Sequence, residues 1–469
     1  LTLTLYKHQK DWLATHWEAT GHGLWHQMGC GKSIIVLLNL KMLHAAGRIG
    51  GMLVVAPNGV HAVWEKEVKK WLPEFRVVTY YSRNSMPQRQ AIKELFQNTQ
   101  GVRVLAINAE ALSYPASEAV KLAYDFLRTV PSMMIVDEST VIKNPRAMRT
   151  KVAMKLSQFA RYRRVLTGSP IADNPFDCWS QLEFLVRGAT GMNYFQFMKE
   201  HGVYETVYMG TRSFTKVAGY KRLDQLKALM EKHGTFISKA ECLDLPPKVY
   251  ERREVELDAA QRKLYQLVKN DISVMLAGNY IEPVNAMAKL QHLHNITLGF
   301  VKQDEGTIEW VSETRVAALI DLLEELDDKV IVWCSSVPAL LKLYEVIIAR
   351  FGKDYVVKCH GDVDPRQRPL DVQKFQEVKA CRVYLANQET GGYGVTLTAA
   401  SFEIYFRNSY SLEDRLQSED RAHRIGQTRS VTIIDMIAPA TVDEHVLLAL
   451  ERKLDIAAHV VDFLKVAAK

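Results

Sequence analysis

Two stretches at opposite ends of the chain carry side chains suited to a phosphate group. In QSEDRAHRIGQ, residues 417–427, Arg421 and Arg424 stand three positions apart behind Gln417, so on a helix both would leave one face and reach one anion together. A guanidinium is planar, always charged and able to make two parallel hydrogen bonds, which suits it to phosphate. The alternative is a solvated helix of mixed charge. In HQMGCGKS, residues 26–33, the backbone N–H groups of Gly29, Cys30 and Gly31 can close around phosphates. Lys32 would place a cation on the β- and γ-phosphates of a nucleotide such as ATP, and Ser33 would offer its hydroxyl to Mg²⁺. His26 stands where the full phosphate-loop pattern has its first glycine, so the match is partial.

A third set follows the apolar run MMIV: Asp137-Glu138-Ser139-Thr140. Two acids at the end of a buried strand are costly unless something positive meets them. Mg²⁺ held by Asp137, with Glu138 orienting an attacking water, would supply that charge. The plainer reading is a surface turn in which Ser139 or Thr140 caps the next helix.

Positioning these groups requires a parallel sheet. Over the first 245 residues, short β-branched runs alternate with helical patterns. Residues 52–56 (MLVVA), 102–107 (VRVLAI), 133–136 (MMIV) and 164–166 (RVL) are the expected strands, with Gly23-Leu24-Trp25 leading into the glycine loop. In open parallel sheets ligands bind at the carboxyl ends of the strands, where Asn58, Asn108, Asp137 and Thr167 fall. Residues 173–235 and 257–310 read as helical insertions, joined by the stiff Leu245-Pro246-Pro247. A second α/β pattern has expected strands at 329–334, 354–359, 381–386, 403–406 and 430–436. The turn after 381–386 contains Gly392 and Gly394, which let backbone approach a ligand closely. The expectation is thus a phosphate loop on one sheet and arginines on another, with the division at 1–245 and 246–469. A nucleotide sandwiched between them would link hydrolysis to their relative motion.

Composition sets the outer bounds. With 469 residues the chain is too long for one core, and 48% apolar with 24% charged residues is typical of a soluble globular protein. No run of eighteen apolar residues occurs, and LTLTLYKHQKDWL lacks the halves of a signal peptide. A net charge of +7 favours a polyanionic partner over an acidic one. Six scattered cysteines without a CxxC motif argue for a reducing, cytoplasmic setting and against a zinc site or disulfide framework.

Taken in order, HQMGCGKS, VVAPNGV, IVDEST, LTGSPI, KVIVWCSS, TGGYGVTLTAAS and QSEDRAHRIGQ resemble the motifs of the SWI/SNF-type helicase-like ATPases of superfamily 2. The resemblance implies two RecA-like lobes that couple ATP hydrolysis to tracking along double-stranded DNA, generally without separating the strands. It places Gln9 on the adenine-reading position, Lys32 and Ser33 on the triphosphate and Mg²⁺ positions, and Asp137 and Glu138 on the metal and water positions. Gln417, Arg421 and Arg424 match the second-lobe motif that reaches the γ-phosphate, the arginines acting as fingers. Thr167 and Gly168 match the segment connecting ATP state to DNA grip. The tail from about 441 to 469 resembles the family's brace, packing back on the first lobe. The sequence departs from the family at His8 (tyrosine), Thr140 (histidine), Thr396 (asparagine) and Tyr410 (tryptophan).

A motor moving along any sequence must hold phosphates rather than base edges. Asn58, Asn108, Thr167, Ser335, Ser336 and Thr398, with lysines such as Lys143, are the expected donors, though each suits a plain turn equally well. The expected function is a monomeric, compact prokaryotic or viral translocase on duplex DNA that also acts on proteins bound there. The alternatives are a strand-separating DNA or RNA helicase with the same nucleotide chemistry, and a binding module that uses ATP only as a structural ligand.

Overall fold

The computed structural model describes residues 5–58, 60–81, 85–97, 101–209, 212–242, 245–277, 283–303, 307–364, 366–391 and 395–460. The chain forms two compact units. The first comprises Leu1–Tyr204, Val217–Asp244 and Lys453–Lys469; the second comprises Glu205–Lys216 and Leu245–Arg452.

In chain order the strands up to residue 237 are β1 (Gly21–His26), β2 (Gly51–Ala56), β3 (Arg76–Thr79), β4 (Arg103–Asn108), β5 (Ser132–Asp137), β6 (Tyr162–Leu166), β7 (Gly202–Met209), β8 (Arg212–Tyr220) and β9 (Gly234–Ile237). Seven of them make one sheet in the order β3-β4-β2-β5-β6-β1-β9, and every neighbouring pair is parallel. All six residues of β2 are buried, the pattern of a strand covered by helices on both faces. Its neighbours are in register so that Ala56 pairs with Asn108, and Asp137 with Leu166. The strand-end turns therefore lie side by side along one rim of the sheet. Helix Lys32–Ala45 leaves that rim with Ile35, Val36, Leu37 and Leu40 fully buried against it.

The stretch expected to be a helical insertion at 173–235 is not wholly helical. Helices Cys178–Leu185, Tyr194–His201 and Leu223–His233 are interrupted by the two-stranded β7–β8 sheet, and β9 follows to extend the main sheet. β7 and β8 interleave Tyr and Val with Glu, Lys and Arg and are largely exposed, so they lack the apolar run that marks a buried strand.

The second unit contains β10 (Lys248–Glu254), β11 (Phe300–Lys302), β12 (Ile308–Trp310), β13 (Lys329–Cys334), β14 (Val356–Cys359), β15 (Val383–Ala386), β16 (Ala400–Arg407) and β17 (Val431–Ile437). Six form a second parallel sheet, β10-β17-β16-β13-β15-β14. The five strands expected from the sequence are its interior and one edge. The other edge, β10, reads KVYERRE and pairs along its whole length with β17. Helices Ala259–Ala277 and Pro283–Thr297 lie where helix was expected, but β11 and β12 pair antiparallel as a two-stranded sheet within the same 257–310 stretch, so this insertion is not wholly helical either; helix Val442–Val460 begins just after Thr441. None of the described helices is long and apolar enough to cross a membrane.

Candidate functional site

In the first unit the glycine loop joins β1 to helix Lys32–Ala45, the strand–turn–helix setting a phosphate loop requires. Gly29 and Gly31 adopt φ values of 89° and 75°, a region costly for a side chain. A Cβ at Gly31 would also stand 2.3 Å from Gln9 Nε2, so the Gln9 side chain would have to move. Gln9 is buried, donates to Cys30 O at 3.4 Å and accepts from Tyr6 N at 3.0 Å. His8 donates from Nε2 to the same Cys30 oxygen at 2.8 Å, and its ring stacks on Tyr6. The loop is therefore held by both residues of the His8-Gln9 pair. Lys32 folds back over it, donating from Nζ to His26 O at 2.9 Å and Gln27 O at 3.5 Å. Ser33 lies in the first turn of the helix.

Asp137 ends β5 on the same rim. Its Oδ2 accepts from Trp64 Nε1 at 2.8 Å and its Oδ1 from the Glu138 N–H at 3.0 Å. Burial nevertheless pushes its pKa up, against the Trp64 bond, the Lys32 charge and the Glu138 N–H, which draw it down. Glu138 is buried with φ 46° and ψ 64°, one of three non-glycine residues with positive φ among those described. Such a conformation costs about 1–3 kcal/mol and persists only where the surroundings impose it, commonly at functional sites.

The turn after β6 completes this face. Thr167 Oγ1 accepts from Ser169 N at 3.1 Å, and a Cβ on Gly168 would come within 3.3 Å of Met28 N in the glycine loop. Sequence reasoning missed Gln181, on helix Cys178–Leu185. Its Oε1 accepts from Ser139 Oγ at 2.7 Å while its Nε2 donates to Pro170 O at 2.7 Å. One buried amide thus clips the turn after Asp137-Glu138 to the turn after β6. Thr140 donates to Glu138 O at 3.4 Å. The available signal was weak: a polar residue at an otherwise apolar position of WSQLEFL.

The candidate phosphate donors divide. Asn108 ends β4 and Asn58 follows two residues after the end of the adjacent β2, its N–H donating to Glu110 Oε1 at 3.2 Å. Lys143 is paired with Asp173 at 2.6 Å, which Lys453 also reaches at 2.9 Å. In the second unit Ser336 caps helix Val337–Phe351, accepting from Ala339 N, and Ser335 Oγ donates to Asn408 O at 3.2 Å. Thr398 Oγ1 accepts from Gln376 Nε2 at 3.4 Å.

The expected helix beneath the arginines stops early. Helix Leu412–Glu419 ends before Arg421, whose N–H donates to Ser418 O at 3.0 Å, three residues back, while its carbonyl accepts from Leu397 N at 2.9 Å. Arg421 and Arg424 therefore occupy a turn, yet their Nη1 atoms both donate to Val395 O, at 3.5 and 3.1 Å. Arg421 is 1% exposed, and burial lowers the Arg424 pKa from its ordinary value. Gln417 is buried on the preceding helix, donating to Glu413 Oε1 at 3.2 Å. Gly392 and Gly394 lie outside the described residues.

What anchors this turn was not legible in sequence. Gln427 Nε2 donates to the carbonyls of Ala400, Thr398 and Ala422, and its Oε1 accepts from Thr428 N and Arg429 N. Beneath it, Arg415 engages Asp435 through two nitrogens at 2.5 and 2.9 Å and Glu419 at 2.7 Å, while Lys248 on β10 reaches Glu419 at 2.8 Å. These cations outweigh burial and hold the Glu419 carboxyl down at about 2.

Two all-parallel sheets, one bearing a glycine loop beside an acid pair and the other a turn with two converging arginines, define a phosphate-loop α/β protein of the two-lobed helicase-like class. The chain belongs to the SNF2-related family: the SNF2-related domain matches residues 7–298, and the helicase conserved C-terminal domain matches residues 314–426. It is 25% identical to an uncharacterized ATP-dependent helicase of Mycoplasma genitalium over 96% of this chain and 42% of that one. It is 26% identical to a probable chromatin-remodeling complex ATPase chain of Oryza sativa over 96% and 40%. The chain thus spans about two fifths of the length of the curated relatives it matches. The solved Sulfolobus solfataricus SWI2/SNF2 ATPase core in complex with dsDNA aligns with 99% of this chain and 95% of that one, at 21% identity and a TM-score of 0.44.

Proposed function

We propose that this chain is an ATPase stimulated by nucleic acid, which spends the hydrolysis of ATP on moving along double-stranded DNA without necessarily separating the strands. The observation that carries the reading is the Asp137–Glu138 pair, set in a strained turn at the end of β5 beside the Lys32 loop. A parallel-sheet protein has no structural need for a left-handed glutamate there.

The residues fit the chemistry. Backbone N–H groups at Gly29 and Gly31, and that of Cys30 on leaving the Gln27 carbonyl it donates to at 3.2 Å, bind the phosphates, and Lys32 exchanges its two loop carbonyls for β- and γ-phosphate oxygens. Ser33 and Asp137 offer only hard oxygen donors, and a carboxylate raised by burial gains from a cation beside it. These two would hold Mg²⁺, which when bound would offset the negative charge of the triphosphate. Glu138 orients the attacking water and draws its proton. Gln9 reads the adenine edge. Arg421 and Arg424 exchange the Val395 carbonyl for the terminal phosphate and stabilise its charge in the transition state, with Gln417 beside them.

Asn58, Asn108, Thr167, Ser335, Ser336 and Thr398 are the proposed contacts to the phosphate backbone. The capping bond of Ser336 leaves its hydroxyl hydrogen to donate. We place the work inside the cell, on DNA and on proteins bound to it, with one chain sufficient. ATP turnover measured with duplex DNA, single strands and RNA tests this. Greatest stimulation by duplex DNA is expected; greatest stimulation by RNA, or none by any of the three, would overturn it.

A further inference from the structure

The cysteine inside the glycine loop has a partner 212 positions away. Cys30 Sγ and Cys242 Sγ lie 3.1 Å apart, and both are free thiols. Cys30 is buried between Gly29 and Gly31, whereas Cys242 ends helix Lys239–Cys242 and is partly exposed. We propose that these two form a reversible disulfide, a modification site that ties the glycine loop to helix Lys239–Cys242 and switches nucleotide binding off. The consequence for binding rests on the nucleotide reading of residues 26–33.

The backbone already holds the two sulfurs together. β9 is paired with β1, Gln27 N donates to Ile237 O at 2.9 Å, and Lys239 N donates to Gln27 Oε1 at 2.7 Å. The chain entropy of bringing distant cysteines together has therefore been met by folding. Bond formation needs the sulfurs to approach by about 1 Å, to the ~2.05 Å of a disulfide. The glycine-flanked loop is the part able to give. Because Cys30 O accepts from both His8 and Gln9, a shift there disturbs the N–H groups proposed to bind the phosphates and the glutamine proposed to read adenine.

The chemistry balances with a small-molecule disulfide, such as oxidised glutathione, as oxidant. Cys242 attacks first. It is the more exposed thiol, and hydrogen bonding from Cys30 holds it below its ordinary pKa; the same bond, with burial, pushes Cys30 up. Attack of the Cys242 thiolate on one glutathione sulfur breaks the small disulfide, forms a mixed disulfide and releases one thiolate. Cys30 gives up its proton and attacks Cys242 Sγ, expelling the second thiolate. Two protein thiols are oxidised and one glutathione disulfide is reduced to two thiols. In a reducing interior such a bond is transient and reports oxidation. Cys178, Cys334, Cys359 and Cys381 are all buried, which leaves Cys242 as the accessible entry point.

The test uses the whole chain, reduced or treated with oxidised glutathione, with peptide mapping for the pairing and titration of a fluorescent ATP analogue for the affinity. A cross-linked Cys30–Cys242 peptide is expected, with affinity weakened about tenfold or more and restored by dithiothreitol. Cys242→Ser is expected to bind as the reduced chain does and to ignore the oxidant. Absence of the cross-linked peptide, a cross-link with unchanged affinity, or equal oxidant sensitivity in Cys242→Ser would each overturn the proposal. A reduced chain that binds no ATP analogue would overturn the switch together with the nucleotide reading, and the peptide map separates that outcome from a failure of the pairing.

Discussion

Arg421 and Arg424 converge on one acceptor: both donate to the carbonyl of Val395, although neither lies on the helix that their spacing suggested. A backbone carbonyl offers partial negative charge where a phosphate would offer a full one, so both side chains are already gathered for an anion. Arg424→Lys keeps the charge and loses the fork. Stimulated ATP turnover should fall about 10³-fold, the range of a lost arginine finger, with ATP affinity little changed. Steady-state phosphate release alongside equilibrium nucleotide binding distinguishes the two; retained turnover would remove Arg424 from the proposed role.

The two charges at the first-unit site should separate binding from hydrolysis. Glu138→Gln keeps shape and hydrogen bonding but cannot take a proton, so turnover should drop by about 10²–10⁴ while ATP still binds. Lys32→Ala should lose both. Unchanged phosphate release in the pair would rule out the assignments made to β5 and the glycine loop.

Gln181 predicts a different phenotype. Gln181→Leu leaves Ser139 Oγ and Pro170 O without their shared partner in a buried setting, at a cost of about 2 kcal/mol seen in urea unfolding. Because the amide joins the turns after β5 and β6, basal hydrolysis should survive while stimulation by duplex DNA is lost. Equal loss of basal and stimulated rates would reduce Gln181 to a folding role.

Acid should destabilise the first unit through His22. Burial, with the nearby His16 and Arg164 adding to it, pushes its pKa down to about 3 from the ordinary 6.5. Between those values the unfolded chain carries the proton and the folded chain does not. The contribution of His22 is therefore fully present above pH 6.5 and is lost progressively as pH falls toward 3. One such histidine costs about 2 kcal/mol between pH 7.5 and 5. Urea midpoints at both pH values should differ by less in His22→Leu than in the parent; an equal difference would show that His22 does not titrate this way.

The legible parts of the molecule were those whose physics is local. β2, β4, β5 and β6 announce themselves as apolar runs because helices cover both their faces, and the glycine loop and acid pair sit in their own strand-end turns. β10 was missed because an exposed edge strand of alternating charge has no apolar signature, and β7 and β8 were missed for the same reason. Arg421 lies past the helix end with its carbonyl accepting from Leu397 N, a tertiary hydrogen bond that no i,i+3 spacing contains. Gln181, Gln427 and the Cys30–Cys242 contact likewise rest on long-range pairings that their own segments do not show.

The pairing of β10 with β17 has a mechanical consequence. The chain arrives at this strand from Leu245-Pro246-Pro247, and seven residues in succession, Lys248 to Glu254, are laddered in parallel to Val431–Ile437. A pull transmitted along the connector acts lengthwise on all of those rungs at once instead of peeling them one by one. An otherwise modest rim strand can thus bear tension as a lap joint does, with the Lys248–Glu419 ion pair as its first rivet.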